Sequence, residues 1–338
     1  MGERLPLCPL CGVNEADDTG SHVVPYFLIK SMVSLDPDNK RSGQDMIFKL
    51  SDHGTDFYVR GGTEEDFVKT FGKDVDDVDL SDNRDLFTVD NKWCKSCEAM
   101  FATLESLAAM EYSQILANGT RVHTMPNSEV FRLFIYSVLW RLSVTSFLPN
   151  SISKEFETKL HNYLIDCLDA DPKELKRKCL EKKDELCQYP LLVGRTFEEE
   201  SSRNEVYAYD NSEPKTFIFN DLIINISESS QFDLNGVKPP YTEEDTEFLN
   251  KDEDQLKVIL YSQEEYELLK KESVQRYVLN ETRRLKVQLV NLFVKFVGRP
   301  PSEVEAQSFL DMYFEKKGEH PDLRNEIFIK TFMQFVQG

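Results

Sequence analysis

Two Cys-x-x-Cys pairs, Cys8/Cys11 and Cys94/Cys97, are the residues of this chain whose spacing speaks most directly of chemistry. Four thiolates so arranged complete a tetrahedral Zn²⁺ site by themselves, and a site closed in this way pins chain segments together rather than reacting. In Cys8-Pro9-Leu10-Cys11-Gly12 the proline and glycine favour a tight knuckle, with backbone N–H groups turned toward the sulfurs and Gly12 supplying the permissive φ. A structural zinc is the expectation. Disulfides and a redox Cys-x-x-Cys are the alternatives, and a reducing compartment counts against the first of them.

Polar side chains of a second kind lie close to these pairs. His22 stands between them in Ser21-His22-Val23-Val24-Pro25, Glu98 follows Cys97 directly, and Glu105 comes seven residues later. On one helix Glu98 and Glu105 share a face within about 20° but stand roughly 10 Å apart, so they do not both chelate one ion. Glu98 near the helix start is the better metal ligand. Glu105 orients His22 or pairs with an arginine such as Arg141. Plainer readings stay open: a half-buried imidazole at His22, a carboxylate favoured by the helix dipole at Glu98, and a buried ion pair at Glu105.

Taken together, Cys-x-x-Cys-Gly, a His-hydrophobic-hydrophobic-Pro element and a second Cys-x-x-Cys followed by a ligand-type residue resemble the zinc-bearing HNH, or His-Me finger, nucleases. The resemblance implies a zinc-pinned ββα module. It puts Cys8, Cys11, Cys94 and Cys97 on the structural zinc, His22 on the general base that deprotonates water, and Glu98 on a catalytic Mg²⁺ or Mn²⁺. Ser21 stands where that motif usually has a metal-binding Asp, and Val89 where it has an Asn that nearby Asn91 can replace. A narrower likeness covers about the first 150 residues. Ser-His-x-x-Pro, Cys-x-x-Cys-Glu, Glu105 and the Ser137-to-Arg141 segment resemble an uncharacterised bacterial group of zinc-knuckle, HNH-like proteins. The implied function is a nucleic-acid phosphodiesterase with His22, Glu98 and Glu105 as its catalytic set. The alternative is a non-catalytic, zinc-stabilised interaction or regulatory protein with a degenerate HNH-like fold and a protein partner.

The elements that must position these residues are legible in part. Between the cysteine pairs run 82 residues, an excursion far longer than a zinc ribbon needs. Val23 to Ser34 has the spacing of a short strand entering a helix. Gly54 to Asp85, acidic and glycine-containing, reads as a loop or lid, disordered in part, with a short helix at Glu64 to Phe71. After the second pair, apolar periodicity predicts helices over 98–116, about 127–147, 154–168 and 173–187. The second of these is almost wholly apolar and is the expected central core helix. From Tyr189 to Ile226 alternation with β-branched and aromatic residues predicts a small sheet, with a turn at Asp210-Asn211-Ser212. Helices follow over 264–297, 302–314 and 323–336, the first two divided by Pro300-Pro301.

The fold expected is therefore α+β. Residues 1–120 form the zinc-knuckle module, with its acidic insert at about 54–90, and residues 121–338 a mainly helical domain with a β segment at about 189–226. Seven cysteines in 338 residues are too sparse for a secreted disulfide scaffold. Met1 to Pro9 has no apolar leader, and the apolar stretch Val130 to Leu148 is broken by Arg132 and Arg141, so a cytoplasmic protein without a membrane span is expected. A net charge of −20 argues against a surface that binds nucleic acid over its whole extent, and leaves room for a local site. Residues 1–120 carry 22 acids against 11 bases, whereas residues 271–338 carry 9 against 11, so a surface facing a polyanion belongs near the C-terminus.

Overall fold

A segment with no polar face can only be helical if other elements surround it. The stretch from Val130 to Ser143 is of this kind, and every one of its residues is buried. In the computed structural model, residues 5–29, 45–51, 54–60, 87–115, 120–145, 151–196, 206–208, 214–219, 221–229, 244–250, 255–319 and 324–337 are described. The expected helix at Glu64 to Phe71, the turn at Asp210 to Ser212 and most of the acidic insert lie outside them.

In chain order the elements are β1 (Ser21–His22), α1 (Tyr26–Ile29), β2 (Asp45–Ser51), β3 (Gly54–Arg60), β4 (Thr88–Val89), α2 (Lys95–Gln114), β5 (Val122–Thr124) and α3 (Ser128–Val144). There follow α4 (Lys154–Cys167), α5 (Pro172–Glu181), α6 (Lys183–Leu186), β6 (Leu191–Thr196), β7 (Val206–Ala208), β8 (Lys215–Phe219) and β9 (Leu222–Ile226). A 3₁₀ turn at Glu244–Phe248, β10 (Lys257–Tyr261), α7 (Gln263–Val297), α8 (Glu303–Glu319) and α9 (Arg324–Gln337) complete the chain. The protein is thus mixed α and β. Among the described residues no helix is long and apolar enough to cross a membrane.

Three elements depart from the sequence reading. Residues 54–60, expected as loop, form β3, which pairs with β2; the consecutive aromatic and β-branched residues Phe57-Tyr58-Val59 are β-favouring sequence inside an acidic context. The helix expected over 173–187 divides at Lys182, whose φ of −100° and ψ of 12° leave the helical region. The break lets Leu186 and Cys187 turn inward, while Leu180 stays exposed. The sheet is also larger than the 189–226 segment. Among the described residues it has six strands in the order β5-β10-β6-β9-β8-β7, with β10 parallel to β6 and every other neighbouring pair antiparallel.

That sheet is covered on both faces, and the period-two pattern shows which residues go where. Leu191, Val193, Phe217, Phe219, Leu222, Ile224, Ile226, Val258 and Leu260 face the main core, along with the apolar residues of α2, α3 and α4. Leu192, Ile218, Ile223, Ile259 and Tyr261 face the other way, against Tyr266 at the start of α7 and Phe248. Gly194 sits where any Cβ would run into the Tyr261 ring, so a side chain is sterically excluded there. The main core is continuous from Cys8 and Leu10 through Trp93, Phe101 and Trp140 to Leu260, and so includes residues on either side of position 120.

By packing, the chain divides into two compact units, one of residues 1–47 and 58–270, the other of residues 48–57 and 271–338. In the second, Leu285, Leu289 and Phe293 of α7 meet Phe309, Leu310 and Tyr313 of α8 and Phe328 and Phe332 of α9. Several of its aromatic rings pack edge to face, as Phe309 and Phe328 do with centroids 4.9 Å apart, while Phe309 and Tyr313 lie parallel.

Candidate functional site

The first cysteine pair sits in a miniature hairpin. Cys8 N–H donates to the Asn14 carbonyl at 2.8 Å and Gly12 N–H to the Cys8 carbonyl at 2.8 Å, with Leu7 and Glu15 bridging beyond. Gly12 has a φ of 65°, in the left-handed region that glycine enters at little cost. The second pair occupies the start of α2. Asp18 N–H bonds to the Trp93 carbonyl, Asn91 N–H to the Asp18 carbonyl, and the Asn14 side-chain amide reaches Ser96 Oγ at 3.3 Å. These bonds hold the two pairs in one place although 82 residues separate them in sequence.

The ligand atoms of Cys8, Cys11, Cys94 and Cys97 all lie within 4.8 Å of one another, and among the described residues no other group of three or more His, Cys, Asp or Glu does so. Cys11 and Cys94 Sγ are 3.9 Å apart. A regular tetrahedron of sulfurs about 2.3 Å from zinc has edges of about 3.8 Å, which the Cys11–Cys94 separation matches. Burial works to push the Cys94 thiol up, but the Ser96 hydroxyl, the Cys97 N–H and the Asn14 amide outweigh it and hold the thiol at about 6. Burial likewise opposes ionisation of Cys11, and the N–H groups of Asn14 and Val13 overcome it. Cys97 and Cys8 are pushed up, chiefly by burial. A divalent cation held among the sulfurs would supply the charge that lets all four ionise.

The aromatic floor below this cluster is built by later helices. Trp93 lies against Trp140 at 5.3 Å and Phe101 at 5.5 Å, and His161 of α4 packs on Trp140 while its Nε2 contacts the Leu10 carbonyl at 2.9 Å. His161 read as an isolated histidine in the sequence. Its contact with the first knuckle arises from the packing of α4 on α3, which nothing in the local sequence signals.

Directly after the first knuckle, β1 pairs antiparallel with β4, Ser21 opposite Val89 and His22 opposite Thr88. Gly20, with a φ of 70°, bends the chain into this ladder and donates its N–H to Asp90 Oδ1 at 2.7 Å. The His22 ring lies edge-on to Tyr26 with centroids 6.0 Å apart, and its Nε2 is buried with no hydrogen-bond partner. Arg141, fully buried on α3, donates from Nη1 both to the His22 carbonyl at 2.8 Å and to Glu105 Oε1 at 2.6 Å. Of the two arrangements open to Glu105, the ion pair with Arg141 is present. The same guanidinium caps the Phe101 ring at 4.8 Å.

Glu98 lies one turn into α2 on the side of this ladder. Its carboxyl is pushed up to about 7, first by burial; Glu105 and Asp18 add to that while Arg141 and the Ser21 hydroxyl oppose it. Glu98 Oε2 is buried without a hydrogen-bond partner, as is Arg141 Nη2. Ser21 Oγ donates to Asp18 Oδ2 at 3.3 Å, which places a carboxylate beside the position where Ser21 replaces the expected acid. Asp18 was not singled out by sequence reasoning. The usable signal is its spacing, three residues before Ser21 on the stretch that leaves the first knuckle.

A second polar constellation, also unforeseen, joins α2 to the sheet. Arg195 donates from Nε to Asp221 Oδ2 at 2.9 Å and from Nη1 to the Tyr112 and Ile115 carbonyls, capping the end of α2, and Tyr112 Oη donates to Asp221 Oδ1. Comparison of this chain with protein-family models, with curated proteins and with solved structures returned no match.

Proposed function

We propose that this chain is a metal-dependent phosphodiesterase acting on nucleic acid, built on a zinc-pinned ββα module of the His-Me finger kind formed by β1, β4 and α2. The observation that carries the reading is a set of orphaned polar atoms. His22 Nε2, Glu98 Oε2 and Arg141 Nη2 are buried and unpartnered, and they come from three elements that one hydrogen-bonded network joins. Buried polar groups are nearly always paired, and an exception calls for a ligand, an ion or a reacting group to account for it.

In this reading the four cysteines hold Zn²⁺ and fix the start of α2 relative to the strand bearing His22. His22 Nε2 takes the proton from an attacking water, and the Arg141 bond to the His22 carbonyl sets where that ring stands. Glu98, with Asp18 close by, offers the hard oxygen donors that Mg²⁺ or Mn²⁺ prefers. Such an ion, when bound, stabilises the charge that develops on the phosphate. The net charge of −20 confines nucleic acid to a local site.

Cleavage of a labelled DNA or RNA oligonucleotide by zinc-loaded protein tests the reading. Cleavage is expected only with added Mg²⁺ or Mn²⁺, and Glu98→Gln is expected to abolish it at unchanged zinc content. A second reading, a non-catalytic interaction module, has its own observation: Glu105 is already neutralised by Arg141, and Ser21 offers no charge. Wild-type protein that neither binds Mn²⁺ nor cleaves either substrate establishes that alternative.

A further inference from the structure

Helix α7 is apolar on two opposite sides. Leu285, Leu289 and Phe293 fill the core of the second unit, whereas Val287, Val290, Val294 and Val297 are 37 to 56 % exposed. At 100° per residue, Val287 and Val294 stand about 140–160° around the helix from Leu289, on the outward side, while Val290 and Val297, about 100° and 80° from it, join that side to the edge of the core. The valines recur at alternating steps of three and four residues over about 15 Å, the narrow seam of one helix packing along another. A surface helix normally carries its polar residues on that side.

The charges beside the stripe say what covers it. Residues 282–299 contain five Lys or Arg and no Asp or Glu, in a chain whose net charge is −20, and of the five Arg299 is already paired with Glu305 of α8. Lys286 and Lys295 on this segment are exposed. A second copy laid along the stripe, parallel or antiparallel, brings the exposed bases Arg283, Lys286 and Lys295 near those of its counterpart, which disfavours pairing with itself. Helices that lie in a membrane surface present a wide apolar face rich in Leu, Phe and Trp, unlike a four-valine seam.

We infer that the outward face of α7 around Val290 and Val294 docks an amphipathic helix of a partner protein whose apolar seam is flanked by acidic residues. Fluorescence anisotropy of a labelled three-heptad peptide, with leucine at a and d and glutamate at e and g, tests this with the full-length protein. The expected result is saturable binding that weakens with salt, falls by at least about tenfold in Val290→Glu/Val294→Glu, and is absent for the same peptide with lysine in place of glutamate. Both substitutions are at exposed positions, and an unchanged circular-dichroism spectrum shows that the bundle remains folded. Failure of the glutamate peptide to bind, or equal binding by the double variant, overturns the inference. So does concentration-dependent dimerisation, or co-sedimentation with phosphatidylserine vesicles, that the double variant abolishes, since these assign the stripe to a second copy or to a membrane.

Discussion

Arg141 and His22 are 119 positions apart in sequence, yet Arg141 Nη1 donates a 2.8 Å hydrogen bond to the His22 carbonyl while also binding Glu105. One buried cation on the central helix thus ties the strand bearing the candidate base to the helix bearing both candidate carboxylates. Charge alone does not reproduce this, since two acceptors are met by one planar guanidinium whose face also lies on Phe101.

Arg141→Met is expected to destabilise the first unit by about 3 kcal/mol, because it strands Glu105 and the His22 carbonyl without a donor. Arg141→Lys is expected to recover only part of this. Urea denaturation measures both, and an Arg141→Met variant within about 0.5 kcal/mol of wild type would contradict the structural role assigned to the bridge.

Removing one sulfur tests the metal centre. Protein purified without chelators is expected to hold one zinc per chain, and Cys94→Ser to lose it, since the binding free energy of a structural metal is folding free energy. Limited proteolysis is expected to cut the N-terminal 115 residues faster in that variant. Metal-free wild-type protein, or unchanged protease resistance, goes against the assignment.

Packing of the sheet gives a third expectation. A methyl group at Gly194 meets the Tyr261 ring, so Gly194→Ala is expected to cost about 1–3 kcal/mol through displacement of Tyr261 from its cluster with Tyr266 and Ile259. Adding Tyr261→Leu should relieve much of the loss. If the two changes are simply additive, the contact is not its cause.

Acid sensitivity is expected at the start of α7. Burial acts to push the Glu265 carboxyl up, but hydrogen bonds from Arg121 and from Ser262 N–H and Oγ prevail and hold it below its ordinary 4.5. Ser262 and Glu265 form a reciprocal cap, each binding the other's backbone N–H. A carboxyl depressed in the folded state stabilises above its unfolded value, and the contribution fades as pH falls from 4.5 through the folded value. Wild type is therefore expected to exceed Glu265→Gln in stability at pH 7, with the gap closing below pH 4.5. A gap independent of pH shows that the cap, and not the charge, is responsible.

The parts of this architecture carried by local periodicity could be read in advance. The helices at 95–114, 128–144 and 154–167 follow from apolar spacing, and the convergence of Cys8, Cys11, Cys94 and Cys97 from metal-ligand spacing. What stayed hidden depends on long-range pairing. Val122–Thr124 and Lys257–Tyr261 are short segments that become strands only because β6 offers them a sheet, with β10 in parallel register and β5 on its far edge. Asp18 and His161 gain their roles from neighbours 80 and 151 positions away, at Glu98 and Leu10, and no periodic pattern announces such contacts.

Phosphodiester hydrolysis by paired proteins of equal zinc content tests the central claim most directly. With Mg²⁺ or Mn²⁺ present, wild-type protein is expected to cleave a labelled nucleic-acid substrate and His22→Ala to do so at least about 100-fold more slowly, the usual contribution of a positioned general base. Equal rates for the two proteins, each carrying one zinc per chain, would contradict the account.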